Sequence, residues 1–170
     1  DIRSAARAPH ALDDQEPIYP GTCRDQRAME GQKFAWRFRV ADGEAVTFKD
    51  NHLGQQSFVG GKDFGDFVVW RNDDAPAYQL ACAVDDAAMQ ITEVVRGADL
   101  LLSTARQLLL HQALGLAAPE FFHCPLLLDE KGGRLAKRSG SLSLRTLRER
   151  GATPEQLRKE WEESRATGFA

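Results

Sequence analysis

The chain has 170 residues, of which 42% are apolar and 28% charged, and its formal net charge is −3. This composition predicts a soluble globular protein and excludes a uniformly basic nucleic-acid-binding chain. No apolar run approaches the ~18 residues of a membrane span, so we expect no membrane partner and no targeting segment. Three widely spaced cysteines, an odd number, indicate a reducing, cytoplasmic environment rather than a disulfide framework.

The first third of the chain predicts loop followed by β-structure. Residues 9–33 are rich in Pro, Gly and Asp, which is typical of a loop. In the segment FAWRFRV (34–40) apolar and polar residues alternate, which predicts a strand with one face in solvent. An Asp-Gly turn and the segment AVTFKD (45–50) follow, and together they predict a β-hairpin.

Strand and helix patterns then alternate, which is typical of an α/β protein with a parallel sheet. Two charged helices follow, the second starting with a capping box at Thr153 and Gln156. In chain order, the predicted segments are strand DFVVWR (66–71), helix AYQLACAVDDAAMQ (77–90), strand ITEVVRG (91–97), helix LLLSTARQLLLHQALGL (100–116), strand HCPLLLD (123–129), and helices LSLRTLRERG (142–151) and ATPEQLRKEWEES (152–164).

Two of the predicted strands end in residues suited to binding anions. In α/β sheets, ligands bind beyond the carboxyl ends of the strands. Arg96 follows one strand and offers a planar fork for a carboxylate, while the loop GGRLAKRSGS (132–141) follows the other and suits phosphates. Considered separately, Arg96 is better explained by a surface ion pair with Asp99, and the loop by solvation.

Taken together, three stretches resemble the catalytic core of the class I glutamyl-type aminoacyl-tRNA synthetases. They are GDFVVWRNDDAPAYQLACAVDD, ITEVVRGADLLLSTARQLLLHQALG and PEFFHCPLLLDEKGGRLAKRSGS, within residues 65–141. In this resemblance RLAKR (134–138) is similar to the KMSKS loop that closes over ATP, with Arg134 and Ala136 as departures. The resemblance implies that Lys137 binds the ATP phosphates and acts as the catalytic cation.

The same resemblance implies that Tyr78 and Arg96 hold the substrate glutamate. For Tyr78, a core aromatic residue on an apolar helix is an equal alternative. We interpret Asp85 and Asp86 as the solvated end of a helix rather than an acid–base pair, because amino-acid activation needs positioning and charge stabilisation at phosphorus.

The segment YPGTC (19–23) resembles the zinc site of the glutamyl-Q tRNA(Asp) synthetases. In that group Tyr19 and Cys23 match the last two ligands of a Cys3Tyr set, which suits a structural Zn²⁺ ion. The matching upstream cysteines would fall before Asp1, so zinc is implied for an intact protein, whereas this chain alone is expected to have a turn with a free thiol. The short segment after RLAKR fits the same group, and we expect the HIGH-motif half of the domain to lie outside the chain.

The resemblance implies the C-terminal part of a Rossmann-like class I catalytic domain that carries a β-hairpin-rich insertion. We expect a zinc-site remnant and insertion at 1–64, a core portion at 65–141 and C-terminal helices at 142–170. The implied function is ATP-dependent activation of glutamate and its transfer to the queuosine base of tRNA(Asp), by a monomer. The alternatives are a truncated glutamyl-tRNA synthetase and a non-catalytic remnant of the fold.

Overall fold

A computed structural model describes residues 18–26, 31, 33–126 and 143–166. The chain divides into two compact units, Asp1–Cys124 and Pro125–Ala170. None of the helices in the described ranges combines the length and apolar character needed to cross a bilayer. The three parts expected from the sequence, with boundaries at 64 and 141, stay predictions.

The described residues of the first unit form six strands and two longer helices. In chain order they are β1 (Trp36–Phe38), β2 (Ala45–Asp50), β3 (Gly54–Val59), β4 (Phe67–Trp70), α1 (Tyr78–Ala88), β5 (Glu93–Gly97), α2 (Leu101–Leu114) and β6 (Glu120–Cys124). A four-stranded sheet has the order β3-β2-β6-β5, and β1 pairs with β4 in a separate two-stranded sheet. Because β2 and β5 both run parallel to β6, their carboxyl ends lie at the same edge.

The predicted hairpin between residues 34–40 and 45–50 is wrong. Strand β1 pairs antiparallel with β4, whereas β2 pairs antiparallel with β3. A turn does form at 41–44, but the Gly43 N–H donates to the Gly60 carbonyl, 2.9 Å away, so this turn packs on the end of β3. A Cβ at Gly60 would collide with the Ala41 carbonyl, so a larger residue would force this packing apart. The alternation also predicted that Trp36 lies on the buried face of this strand, but the residue is 59% exposed.

The helix and strand predictions for residues 66–116 are confirmed. Helix α2 ends as expected at Gly115, whose φ of 65° is a left-handed conformation that favours glycine. The last strand, β6, starts at Glu120, three residues before the predicted segment, and the end of that segment lies outside the described residues.

The core of this unit lies where α1 and α2 pack against each other and α2 packs on β2. Its buried members are aliphatic or aromatic, and burial of each large side chain contributes about 1.5–3 kcal/mol. They are Val40, Val46, Phe64, Phe67, Ala83, Ala105, Leu109 and Leu110. This packing fixes the start of α2 beside the carboxyl ends of the parallel strands.

The second unit contains α3 (Leu144–Glu149) and α4 (Pro154–Ala166). The Ser143 hydroxyl caps α3 by accepting a hydrogen bond from the Thr146 N–H at 3.1 Å. The predicted capping box of α4 is confirmed. The Thr153 N–H donates to Gln156 Oε1 at 2.9 Å, and the Gln156 N–H donates to Thr153 Oγ1 at 3.3 Å.

Candidate functional site

Arg96 lies near the carboxyl end of β5, directly opposite His123 of β6 in the parallel ladder. Its side chain is half-buried, with the guanidinium over the Phe121 ring at 5.5 Å from the centroid. Arg96 Nε donates to His123 Nε2 at 3.2 Å, and Nη2 donates to Thr104 Oγ1 at 2.6 Å. Burial lowers the pKa of Arg96, but a guanidinium stays charged in proteins. The site therefore presents a partly desolvated cation at the sheet edge.

Tyr78, the first residue of α1, interacts with the Arg96 guanidinium. It is 38% exposed, so it is not the core aromatic residue that the apolar helix pattern allowed. Burial of the hydroxyl raises the pKa of Tyr78, and the nearby Cys82 thiol adds to this shift. The hydroxyl therefore stays protonated and can donate a hydrogen bond. The structure brings together the two residues predicted to bind glutamate.

Behind Arg96 lies a buried pair that the sequence reasoning missed. Asp50 is the last residue of β2, and its Oδ2 is 2.6 Å from His123 Nδ1. Both side chains are inaccessible to solvent. Burial alone raises the pKa of Asp50, but the hydrogen bond from His123 and those from backbone amides outweigh it and lower the pKa to about 2. The signal available in the sequence was a histidine set among apolar residues in FFHCPLLL.

The two neighbouring aspartates of α1 differ in their surroundings. Asp85 is exposed, whereas Asp86 is partly buried, and its charge acts on both Cys82 and Arg96. Neither lies within a described cluster of three or more His, Cys, Asp or Glu side chains that could hold a metal ion.

Tyr19 and Cys23, the two predicted zinc ligands, lie side by side. The Cys23 N–H donates to the Tyr19 hydroxyl at 2.8 Å, and the thiol also faces that hydroxyl. Burial raises the pKa of Tyr19, which disfavours the phenolate form, while Cys23 is exposed. Within the described residues no third His, Cys, Asp or Glu completes a metal-binding group. The pair supplies at most two of the four ligands of a closed zinc site, and its role as a zinc site stays a prediction.

The remaining predicted residue, Lys137, lies outside the described residues, as does the rest of its loop. Its predicted role in binding ATP stays a prediction. His52 follows β2, and its ring stacks on the Phe122 ring with centroids 5.1 Å apart.

Comparisons with known proteins agree with the geometry. Residues 15–162 match the family model described as "tRNA synthetases class I (E and Q), catalytic domain". Among curated proteins, the chain is similar to the glutamyl-Q tRNA(Asp) synthetase of Symbiobacterium thermophilum, with 48% identity over 92% of this chain and 50% of that protein. It is also similar to a glutamate–tRNA ligase of Hydrogenobaculum, with 42% identity over 82% of this chain and 31% of that protein.

Among solved structures, the fold matches a glutamate tRNA ligase from Elizabethkingia meningosepticum that was crystallised in complex with its amino acid. The TM-score is 0.55 at 38% identity, covering 61% of this chain and 21% of that one. The chain thus spans about half the length, or less, of the curated relatives that it matches. The α/β fold class and the resemblance inferred from the sequence are confirmed. The chain belongs to the class I tRNA synthetases of the glutamyl and glutaminyl type, and residues 15–162 form part of their catalytic domain.

Proposed function

We propose that the complete gene product activates glutamate with ATP and transfers the glutamyl group to the queuosine base of tRNA(Asp), as a cytoplasmic monomer. The observation that carries the proposal is the half-buried Arg96 cation beside Tyr78 at the carboxyl edge of the parallel sheet. A guanidinium there matches the charge and planar shape of a carboxylate, and a tyrosine hydroxyl fixes its orientation. The free cysteines Cys23, Cys82 and Cys124 support a reducing compartment.

The chemistry assigns each group a separate task. One glutamate carboxylate oxygen attacks the α-phosphorus of ATP, a P–O bond forms, and the bond to the leaving pyrophosphate breaks. A carboxylate paired with a guanidinium is a weaker nucleophile, so Arg96 suits the carboxylate that does not react. Lys137 would stabilise the charge that develops on the departing pyrophosphate.

Glutamate-dependent exchange of pyrophosphate into ATP tests the activation step. We expect Lys137→Ala to lose most of this exchange because the leaving-group charge loses its cation. Lys131→Ala, which removes the same charge six residues upstream, is the matched control and should retain it. Unchanged exchange in Lys137→Ala contradicts the role of the loop. A non-catalytic remnant predicts no exchange in the wild-type protein.

The acceptor is tested with defined tRNAs. Charging of tRNA(Asp) that bears queuosine, with none of tRNA(Asp) that lacks it, supports the proposal. Charging of tRNA(Glu) supports the second candidate, a glutamate–tRNA ligase. That candidate is favoured by the 42% identity to the Hydrogenobaculum protein.

We also propose that Tyr19 and Cys23 contribute two ligands to a structural zinc ion in the complete gene product. The adjacent phenol and exposed thiol support this, and the remaining ligands would come from outside the described residues. When bound, zinc would stabilise the fold rather than take part in the reaction. Metal analysis should find about one zinc per protein, lost in Cys23→Ser and retained in Cys124→Ser. Equal zinc in both variants overturns this assignment.

A further inference from the structure

Two hydrogen bonds of Arg96 come from one edge of its guanidinium, and the Tyr78 hydroxyl also interacts with the group. Nε and Nη2 form the side-on edge of the group, and they donate to His123 Nε2 and Thr104 Oγ1. These two acceptors are 3.1 Å apart, so together they hold the guanidinium plane at two points. A carboxylate can also be bound through the end-on edge, formed by Nη1 and Nη2. These two contacts occupy the side-on edge, so we expect an incoming carboxylate at the end-on edge, together with the Tyr78 hydroxyl.

The His123 ring has three polar contacts, with Arg96 and Thr104 at Nε2 and with Asp50 at Nδ1, and they fix its tautomer. Nε2 accepts from Arg96, so the ring proton lies on Nδ1, which donates to Asp50 Oδ2 at 2.6 Å. The other carboxylate oxygen, Oδ1, accepts from the backbone N–H groups of His52 and Leu53 at 3.0 and 2.8 Å. Asp50 is therefore held by the turn after β2, and it holds His123 in turn. A buried carboxylate that orients an imidazole in this way is a known device for fixing a tautomer.

We propose that Asp50, His123 and Thr104 are positioning residues that hold Arg96 for end-on binding of the substrate carboxylate. None of the three is assigned to touch the substrate, and each acts through Arg96. The acceptors on the guanidinium are a neutral imidazole and a hydroxyl, so they fix its orientation without cancelling its charge. The inference rests on the proposed function for its substrate, but the tautomer and the contacts can be tested without it.

The variant Asp50→Asn tests this network because it changes the hydrogen bond that His123 Nδ1 can make. The amide oxygen would keep the place of Oδ1, because that atom accepts from backbone N–H groups. The amide NH₂ would then face His123 Nδ1 and require the ring proton to move to Nε2. Nε2 could then no longer accept from Arg96 Nε–H, and Nε2–H would have only Thr104 Oγ1, 3.1 Å away, as an acceptor. We therefore expect Asp50→Asn to displace Arg96 even though Asp50 does not contact it.

Two substitutions of His123 separate positioning from stability. In His123→Gln the amide can reach the place of Nε2 and accept from Arg96, whereas in His123→Asn it can reach only the place of Nδ1 and bond to Asp50. We expect the Michaelis constant for glutamate to rise about ten-fold in His123→Asn but only about three-fold in His123→Gln. The Michaelis constant for ATP should not change in either variant. The order of thermal stability should be the opposite, with Asn the more stable variant.

The matched control for these variants is Phe64→Leu, a core change away from Arg96 that should lower stability and leave both Michaelis constants unchanged. The proposal is overturned if Gln and Asn raise the glutamate constant equally, or if the ATP constant rises in parallel.

Nitrogen-15 NMR of histidine-labelled wild-type protein gives a readout independent of activity and of variant folding. We expect His123 to show a protonated Nδ1 and an unprotonated Nε2, and Asp50→Asn to invert this pattern. A protonated Nε2 in the wild type overturns the positioning role. Absence of glutamate-dependent exchange together with the expected tautomer instead rejects the proposed function and leaves the geometry of Arg96 standing.

Discussion

Two buried aspartates engage an arginine in this molecule, and they do so differently. Asp66, which precedes β4, accepts directly from Arg24 Nε and Nη2 at 2.7 and 2.8 Å. Asp50, at the end of β2, reaches Arg96 only through His123. Each arginine uses the same side-on edge, but the acceptors are a carboxylate in one case and neutral groups in the other.

This difference separates a structural pair from a candidate binding residue. The charge of Arg24 is matched by Asp66, which also accepts from the Val40 N–H at 2.9 Å and so ties β4 to the residues after β1. Among the described residues no carboxylate accepts from the side-on edge of Arg96, and the nearby charge of Asp86 acts on it without such a contact. A half-buried cation that is oriented but not neutralised is suited to bind an anion, because the cost of its desolvation is offset when the ligand arrives.

The largest expected effect is that of Arg96→Met on catalysis. Methionine keeps much of the apolar stem but removes the charge that the substrate carboxylate would meet. We expect kcat/KM for glutamate in pyrophosphate exchange to fall about 1,000-fold, or ~4 kcal/mol. Arg37→Met, which removes another partly buried arginine, on β1, is the control and should retain kcat/KM. A loss below about ten-fold in Arg96→Met would show that another cation binds the carboxylate.

For the pair of Arg24 and Asp66 we expect an effect on stability alone. Asp66→Asn removes the charge that pairs with Arg24 and leaves the buried contact incomplete, so the free energy of unfolding should fall by about 3 kcal/mol. The Michaelis constant for glutamate should not change. Denaturant unfolding measures the first quantity, and Asp73→Asn, in an exposed pair with Arg71, should leave it unaltered. A raised glutamate constant in Asp66→Asn would remove the contrast between the two sites.

Acid titration compares the two carboxylates directly. Burial raises the pKa of Asp66, but Arg24 outweighs it and lowers the pKa below its usual value, while that of Asp50 is lowered to about 2 from 3.8. Since both folded pKa values lie below the unfolded ones, the stability that they provide is complete above about pH 4 and is lost as the pH falls toward 2. For Asp50 this amounts to about 2 kcal/mol.

Unfolding followed between about pH 5 and pH 2 checks this expectation. The wild-type protein should lose stability over that range more steeply than Asp50→Asn, which has no carboxyl to protonate at that position. Equal slopes would show that Asp50 is not strongly ionised in the folded protein. The groups that face its carboxylate are the ring and the backbone amide of His123 from β6 and the backbone amides of His52 and Leu53.

Local patterns in the sequence predicted the elements that depend on local contacts. Helix α2 follows its apolar periodicity and its glycine stop, and α4 follows its capping box. The hairpin prediction was wrong because the pairing partner of a strand is determined by tertiary contacts. The same alternation at residues 34–40 fits any antiparallel partner, and the structure pairs it with β4. Pairing energy comes from cross-strand neighbours that periodicity does not reveal.

The residues of the candidate site likewise divide into those that a local motif marks and those that only the fold brings together. Arg96 and Tyr78 could be predicted because the motifs of a resembling family mark them. Asp50 and His123 are 73 residues apart in sequence, and only the parallel pairing of β2 with β6 brings them together. A lone histidine in an apolar strand indicates a buried polar group that needs partners, but it does not say which partners it has.

The smallest expected effect concerns Tyr78, which tests whether the neutral group beside Arg96 orients the ligand. Tyr78→Phe keeps the ring but removes a hydroxyl that stays protonated, since burial raises its pKa. The loss of one neutral hydrogen bond costs about 0.5–1.5 kcal/mol, so the glutamate Michaelis constant should rise about 3- to 10-fold. Stability should change little, because the residue is 38% exposed. Tyr78→Ala, which also removes the ring from the guanidinium, should have a larger effect on the same constant. If neither Tyr78→Phe nor Tyr78→Ala changed the glutamate Michaelis constant, orientation of the substrate would rest on Arg96 and its positioning residues alone.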